Sequence, residues 1–415
     1  MPVGAHRFRT HPRVRIADKE IRLKILAPSL AALAGVALTQ NLDAAHVEDQ
    51  DLKLSLVLNL QPRAEVTDAS DAGGGDFDVQ AGASGEPDTA DFYLRRLRTG
   101  IKGSYQDRWK FAGIINADDA GRRDQGTRAL TVHQAYVGYE FGEDAIAHLV
   151  QGGLDYAFFN HATASNSSAL FPIQRASAEL LPVRGIGVAY RLSTPIVRFG
   201  VDAQNNTGDD GLVASESEGL VYTGRIEITG PGDLALGRFQ ETYLNKEGIG
   251  FIVGIEAGLN QDDRNAANTS SATSTVMGVD VVFHLEGLNV LAEYRTRTIE
   301  TEPDAGASSE VDADILIVQA GYAFAVGPIV LEPAARYQII DLDDANDDEA
   351  LPYFVPATAT TVSRDYGRSG NEIDVGINCY FNGHGNKLSL AYSMWEAEDG
   401  DADANIVRLQ HQLNF

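Results

Sequence analysis

The chain is largely a series of segments in which apolar and polar positions alternate one by one. In the segment 248–260, isoleucine, phenylalanine, valine, alanine and leucine occupy one face, and the other is mainly glycine and polar residues, including Glu256. This period of two predicts a β-strand with one apolar face. About sixteen such segments occur, from 52–61 to 405–415, and only a short stretch near 176–181 shows a helical period.

The final segment, 405–415, is the most informative of these strands. Its apolar face ends on Phe415 and is interrupted only by His411, whereas Arg408 and three amide side chains occupy the other face. An alternating strand that ends on an aromatic residue is typical of the last strand of a bacterial outer-membrane β-barrel. The last strand of a soluble sheet also alternates, so this segment alone leaves both interpretations open.

The connections between the predicted strands alternate in length. Short turns, such as 106–108 and 285–287, are separated by long polar connections. The long connections are 67–90, 118–129, 157–183, 207–219, 261–273, 300–312, 341–370 and 396–404. Short periplasmic turns and long external loops are typical of an outer-membrane barrel, although the link 230–247 should be short and is not. We therefore predict an all-β protein, a transmembrane antiparallel β-barrel of about 16 strands that spans residues 46–415.

The overall hydropathy agrees with a barrel that exposes one apolar residue in two. Mean hydropathy is -0.17, and beyond the amino-terminal region no window has the ~18 continuous apolar residues that a membrane helix needs. At the amino terminus, a basic lead precedes the apolar run 25–38, and small residues follow at Ala44 and Ala45. We predict that residues 1–45 are a signal peptide with a basic lead that is cleaved on export, rather than a short buried helix.

Charge and motifs exclude several classes of function. The net charge of -26 argues against nucleic acid as a partner, because contact with phosphate needs a basic surface. The single cysteine, Cys379, leaves no internal disulfide, and no zinc-type spacing occurs. The motifs Gly-x-Ser-x-Gly and His-Glu-x-x-His are absent from the sequence. We expect no enzyme activity, no cofactor and no metal site; a barrel enzyme and a structural barrel are the alternatives to a channel.

Basic and acidic residues share the polar faces of the predicted strands. The basic set is Arg96, Arg98, Lys102, Lys110, Arg191, Arg198, Arg225, Arg295, Arg297, Arg336 and Arg408. The acidic set is Glu140, Asp155, Asp202, Glu227, Glu256, Asp280, Glu293, Glu332 and Asp374. Arginines in series could pass an oxyanion from site to site, because guanidinium binds phosphate in a fork geometry. Alternatively, acids and bases pair across strands and stiffen the wall. The sequence leaves both readings open.

The best candidates for an anion path are Arg96, Arg98 and Lys102, which share one face of a strand without an interleaved acid. We therefore predict that small anions pass more readily than cations. The acidic stretches 304–314, 341–349 and 396–403 are interpreted as solvated external loops. Bridging of divalent cations to lipopolysaccharide is the alternative.

Several motifs resemble the phosphate-selective porin (O/P) family. Residues 94–103 (Leu-Arg-Arg-Leu-Arg-Thr-Gly-Ile-Lys-Gly) are similar to its early strand, and residues 134–139 (Gln-Ala-Tyr-Val-Gly-Tyr) are similar to its Asp-Ala-Tyr-Val-Gly-Tyr strand. Residues 171–175, followed by 182–188, resemble its constriction segment. Asp155 stands where the family often has lysine, which weakens the expectation of anion preference.

The resemblance implies a homotrimer of sixteen-stranded barrels in the bacterial outer membrane, with an inward-folded third loop. Residues 157–183 are the candidate constriction loop, flanked by Arg175 and Arg184. The function implied is a porin with a water-filled channel for passive diffusion of small hydrophilic solutes, anions such as phosphate among them. A structural or non-selective barrel is the alternative. The expected partners are outer-membrane lipid, lipopolysaccharide and small anionic solutes.

Overall fold

The computed structural model describes the strands and most of the short turns between them. The described residues are 46–48, 51–69, 89–120, 130–143, 145–159, 161, 184–205, 219–230, 242–244, 246–264, 270–303, 308–342, 369–398 and 403–414. The predicted signal peptide (residues 1–45), Arg175 and Phe415 lie outside them. The strands are β1 (His46–Glu48), β2 (Leu52–Ala69), β3 (Thr89–Tyr105), β4 (Trp109–Asn116), β5 (Thr131–Glu143), β6 (Ile146–Tyr156), β7 (Arg184–Ser193), β8 (Val197–Asn205), β9 (Leu220–Thr229), β10 (Ile249–Arg264), β11 (Ser270–Leu285), β12 (Leu288–Pro303), β13 (Ser309–Tyr322), β14 (Phe324–Val326), β15 (Ile329–Leu342), β16 (Gly370–Asn382), β17 (Asn386–Ala397) and β18 (Asp403–Asn414).

These strands form one closed antiparallel barrel. From β2 to β18 each strand pairs with the next one in sequence, except that β13 and β14 both pair with β15. Strand β18 returns to β2, with Leu413 opposite Leu60 and Gln410 opposite Arg63. The barrel has 16 strands, because β14 continues β13 beyond Ala323 and β1 is a short addition to β2. The predicted all-β, transmembrane antiparallel barrel of about 16 strands is therefore confirmed. No described helix is long and apolar enough to cross a membrane.

The short turns adopt the conformations that tight hairpins require. Between β11 and β12, Glu286 and Gly287 both have positive φ values, 45° and 96°. Two consecutive residues in this region define the mirror-image turn whose twist matches paired strands, and glycine adopts it without a Cβ penalty. These short turns mark one end of the barrel, the periplasmic end, and the long connections mark the external end.

Alternation along each strand separates an outer face from a lumenal face. On β10, Val253 and Ile255 are exposed on the outside, whereas Ile252 and Glu256 are buried on the inside. On β16 the lumenal face is polar, as predicted, and Cys379 lies on the outer face. Exposed apolar side chains cover the outer face of strand after strand, as contact with lipid requires.

The lumenal face of β11 to β13 is more apolar than the polar pore wall that the sequence predicts. Val276, Val282, Leu291, Ile315 and Ile317 are all buried there. The other side of the same strands is also apolar, so alternation of residue type is weak in this part of the chain. On the lumenal wall of these strands, apolar side chains are therefore interspersed with charged ones, such as Asp280 and Arg295.

Aromatic side chains form a continuous row on the outer face near the periplasmic end. Trp109 packs on Tyr139 with ring centroids 4.9 Å apart, and Phe141 stacks on His148 at 5.0 Å. His148 Nδ1 lies 2.8 Å from the hydroxyl of Tyr190. Rings with one polar atom are typical of the aromatic belt at a membrane interface.

Candidate functional site: the lumenal wall

The lumenal charges of β9 to β11 meet around one arginine, Arg225. Its guanidinium contacts Glu256 at 2.7 Å, binds both carboxylate oxygens of Asp280 and lies 3.9 Å from Glu227. All four side chains are buried. A fork of N–H donors suits this task, because it binds two carboxylates at once in a fixed plane. We call these four residues the central cluster.

A glycine makes the central cluster sterically feasible. Arg225 lies on β9 and Asp280 on β11, so the arginine must cross β10, where Gly254 faces the lumen between them. A Cβ at Gly254 would lie 2.0 Å from a guanidinium nitrogen of Arg225. Arg295 makes a similar crossing from β12 over Gly278, where a Cβ would meet Arg295 at 2.6 Å and Glu256 at 2.7 Å. The lumenal glycines therefore provide the space in which charged side chains lie flat on the wall.

Arg295 extends the same pattern to β12. Its Nε lies 2.5 Å from Glu293 Oε1, and both side chains are fully buried. Next to it, Arg297 donates to the hydroxyl of Ser274 at 2.8 Å. On the other flank, Arg198 of β8 lies 3.8 Å from Glu227 of the central cluster.

A second polar sector runs across the closure of the barrel. Arg336 of β15 pairs with Asp374 of β16 at 2.5 Å, and Ser393 of β17 donates to the same carboxylate. Arg408 of β18 donates to Ser393 at 2.7 Å and pairs with Glu65 of β2 at 2.7 Å. Five lumenal side chains thus connect five strands, from β15 through β18 to β2.

The three candidates on β3 have different environments. Arg96 donates to Gln61 at 3.0 Å and is buried. Arg98 pairs with Asp118, just beyond the end of β4, and contacts both of its carboxylate oxygens. Lys102 is exposed and forms no ion pair with any described residue. The cross-strand neighbours of Lys102 are the uncharged Ser55 and Ala112.

The acid that pairs with Arg98 is strongly perturbed. Burial alone would raise the pKa of Asp118, but the charge and hydrogen bonds of Arg98 outweigh it and hold the pKa well below its usual range. A lowered carboxyl pKa contributes stability above the unfolded-state value, and this contribution is lost only as the pH falls through the folded-state value. The pair therefore persists well into the acidic range.

The start of the predicted constriction loop lies against the lumenal wall. Phe158 is 1% exposed, and its backbone N–H donates to Asp202 at 3.0 Å. Arg191 also holds Asp202 at 2.5 Å, and its guanidinium carbon lies 5.4 Å from the centre of the Phe158 ring. Gly200 makes room for that ring, because a Cβ there would lie 2.2 Å from Phe158.

Arg191, Arg198, Arg225, Arg295, Arg297, Arg336 and Arg408 thus lie on lumenal faces, as do the three candidates on β3. Arg184, the first residue of β7, has Nη1 2.7 Å from Nδ1 of His133. Arg175 lies outside the described residues. In the structure, most of the predicted basic residues lie beside predicted acidic residues. They do not form an uninterrupted row of bases along the lumen.

Sequence reasoning missed three charged residues near the lumenal wall of β2 and β3. Arg63 donates to Gln410, and Glu65 accepts from Arg408, but the predicted first strand ended before both. The register of β2 against β3 shifts by one residue between Gln61 and Pro62, and Arg95 is the extra residue on β3. Arg95 pairs with Asp119. Polar residues at 59, 61, 63 and 65 continue the alternation through the proline, and this signal could have extended the strand.

A family model described as phosphate-selective porin O and P matches residues 72–415. The chain belongs to this porin family. This porin is therefore an outer-membrane channel, and its family and fold are those of a channel rather than of an enzyme. None of the curated proteins with which the sequence was compared matches it.

Solved structures of outer-membrane channels share the fold of this porin. DcaP of Acinetobacter baumannii is 17% identical, with 89% of this chain and 100% of that chain covered and a TM-score of 0.52. OmpF of Salmonella typhi, in complex with daunomycin, is 16% identical, with 89% and 100% covered and a TM-score of 0.54. An anion-selective porin from Comamonas acidovorans is 9% identical, with 88% and 100% covered and a TM-score of 0.50. At these identities the likeness concerns the fold alone.

Proposed function

We propose that this porin lets small hydrophilic solutes diffuse passively through its lumen and that it prefers anions, phosphate among them. The observation that carries the preference is the state of Lys102. It is exposed on the lumenal face of β3, where no described carboxylate pairs with it. A fixed positive charge that is not neutralised locally attracts anions and repels cations in a water-filled pore.

Lys110 shows how a nearby carboxylate weakens the effect of a lumenal base on passing ions. It lies on the lumenal face of the neighbouring strand, but its Nζ is 3.9 Å from a carboxylate oxygen of Glu140. The field of a paired base falls off faster with distance than the field of an isolated one, because the acid cancels most of it. We infer that Lys102 contributes more to ion preference than Lys110.

Most of the other candidates support the wall rather than the path. Arg191, Arg225, Arg336 and Arg408 each hold a carboxylate within 2.7 Å. Acid–base pairs that cross strands fix the side chains and keep the wall polar without a large net charge. We therefore place the anion path on the side of β3, with Arg96 on the same face as Lys102 and six residues before it, and assign the other arginines to stiffening the lumen.

We also propose that residues 157–183 form the constriction of the channel. The support is the docking of Phe158 on Arg191, Asp202 and Gly200, which directs the chain inward from the end of β6. His161, three residues further on, is also buried. A loop that starts in this way narrows the lumen at the level of the charged wall.

The preference is tested by replacing Lys102 with glutamine. We expect Lys102→Gln to shift the reversal potential in a KCl gradient toward cation preference, because the pore loses an unneutralised positive charge. Lys110→Gln is the matched control and should shift it much less, since Glu140 already neutralises Lys110. Equal shifts in the two variants, or none, would show that Lys102 does not carry the preference.

Assembly and export are proposals of the same kind. We expect a homotrimer in contact with outer-membrane lipid and lipopolysaccharide, and a mature chain that begins after residues 1–45 have been cleaved. Mass measurement of the purified protein in detergent and amino-terminal sequencing test these two expectations separately.

A further inference from the structure

The connection between β9 and β10 is unlike the other turns at the periplasmic end. It joins Thr229 to Ile249, whereas the neighbouring hairpins turn within a few residues. Within it, residues 242–244 and Lys246 contact inward-facing side chains of strands that are distant in sequence. We call residues 242–244 and Lys246 the periplasmic strap.

The strap is anchored on a buried carboxylate. Glu332 of β15 is 0% exposed, and Thr242 donates its hydroxyl to Glu332 Oε1 at 2.5 Å. Asn289 donates to the same oxygen at 3.2 Å, while Asn378 at 3.1 Å and Tyr380 at 2.5 Å donate to the other. A buried carboxylate is stable only when hydrogen-bond donors replace the water that it has lost. The wall supplies three of these donors to Glu332, and the Thr242 hydroxyl is the fourth.

Further contacts fix the strap along its length. The backbone N–H of Tyr243 donates to Asn289 at 3.0 Å, and its ring packs edge-on against His284 at 5.7 Å. His284 of β11 is fully buried, and its Nε2 lies 2.7 Å from the carbonyl oxygen of Lys246. The side chain of Leu244 lies 3.8 Å from the Cβ position of Gly383, in the turn between β16 and β17.

These contacts place the strap inside the periplasmic mouth of the barrel. Strand β15 lies four strands from β10, about 20 Å along the sheet at the usual strand spacing. The six peptide units from Thr242 to Gly248 reach at most about 20 Å when fully extended. They are not extended, because the N–H of Lys246 turns back to the carbonyl of Tyr243 at 3.3 Å. The strap therefore lies inside the mouth, against the lumenal faces of β11, β12 and β15, and narrows the opening from that side.

We propose that the periplasmic strap is a second constriction, in series with the loop at residues 157–183, and that it limits the size of the solutes that leave the lumen. Both ends of a pore contribute to its resistance, so an obstacle at the exit restricts large solutes even when the external constriction is wide. Size exclusion at the exit acts on neutral solutes as well as on ions. The proposal therefore stands apart from the anion preference.

The first test removes the anchor without changing the wall. Thr242→Val keeps the shape of the side chain but loses the hydroxyl that Glu332 accepts. We expect single-channel conductance to rise by about twofold, and neutral oligosaccharides that wild-type protein excludes should swell proteoliposomes. Thr298→Val is the matched control, because Thr298 donates to Asp312 at 2.6 Å on the outer face. Unchanged conductance and unchanged sugar exclusion in Thr242→Val would overturn the proposal.

A second test does not depend on the anchor. Leu244→Cys in a Cys379→Ala background places a thiol on the strap, and a bulky thiol reagent added from the periplasmic side should then lower conductance severalfold. Leu285→Cys in the same background is the control, because Leu285 is exposed on the outer face next to a periplasmic turn. Gel migration before and after boiling verifies that each variant is folded. A conductance that is insensitive to the reagent at position 244 would contradict a strap in the ion path.

Discussion

Arg225→Met should destabilise the folded barrel by about 3–5 kcal/mol, the cost typical of breaking a buried ion pair by removing one partner. Arg225 is the only described base that contacts both Glu256 and Asp280 directly, and Glu227 lies 3.9 Å away. Without it, three buried carboxylates face one another with less positive charge between them. Methionine keeps the length and most of the volume, so the loss is electrostatic rather than a cavity.

Urea unfolding of the refolded barrel in lipid vesicles measures this effect. Arg198→Met is the matched control: Arg198 approaches Glu227 only to 3.8 Å, and its side chain is 17% exposed. The control should cost about 1 kcal/mol or less, as partly hydrated pairs do. Asp280→Asn added to Arg225→Met should recover part of the loss, because it removes one uncompensated charge. Equal destabilisation in Arg225→Met and Arg198→Met would contradict the central cluster.

Gly200→Val should widen the channel by displacing the start of the proposed constriction loop. A Cβ at Gly200 would lie 2.2 Å from the ring of Phe158 and 2.9 Å from Arg191 Cδ, so the ring must leave the wall. Overpacking of this kind costs about 1–3 kcal/mol, enough to compete with the bond from the Phe158 N–H to Asp202. We expect larger single-channel conductance with more open-channel noise.

The control for this prediction lies on the neighbouring strand. Gly224 is opposite Val201 on the outer face of β9, and its nearest neighbour would lie 3.6 Å from a new Cβ. Gly224→Val should therefore fold normally and conduct like the wild-type protein. If Gly200→Val also conducts like the wild-type protein while remaining folded, the docking of Phe158 does not shape the channel.

The sequence predicts the barrel well because its main signals are local. The alternation of apolar and polar residues and the alternation of short and long connections predict the number of strands. An error of a few residues at a strand end does not change that number. The strand at residues 52–61 was predicted too short, because Pro62 looks like a strand end in sequence. In the structure the ladder slips by one residue there, and β2 continues to Ala69.

The candidate site was less predictable, because its contacts depend on register and on long connections. Alternation places Arg225 and Asp280 on the same face, but only the pairing of three strands shows that the arginine crosses Gly254 to reach the acid. The bond between Thr242 and Glu332 joins residues that are 90 positions apart, and no local pattern marks it. The unusual length of the link 230–247 was the only signal of the strap in the sequence.

We propose above all that this barrel is a diffusion channel that prefers anions. The most direct test is to record purified, refolded protein in a planar bilayer that separates two KCl concentrations. We expect discrete conductance steps and a reversal potential with the sign of chloride permeation. Added phosphate should reduce the chloride current, because it competes for the same path. A silent bilayer, or steps whose reversal potential shows cation preference, would contradict it.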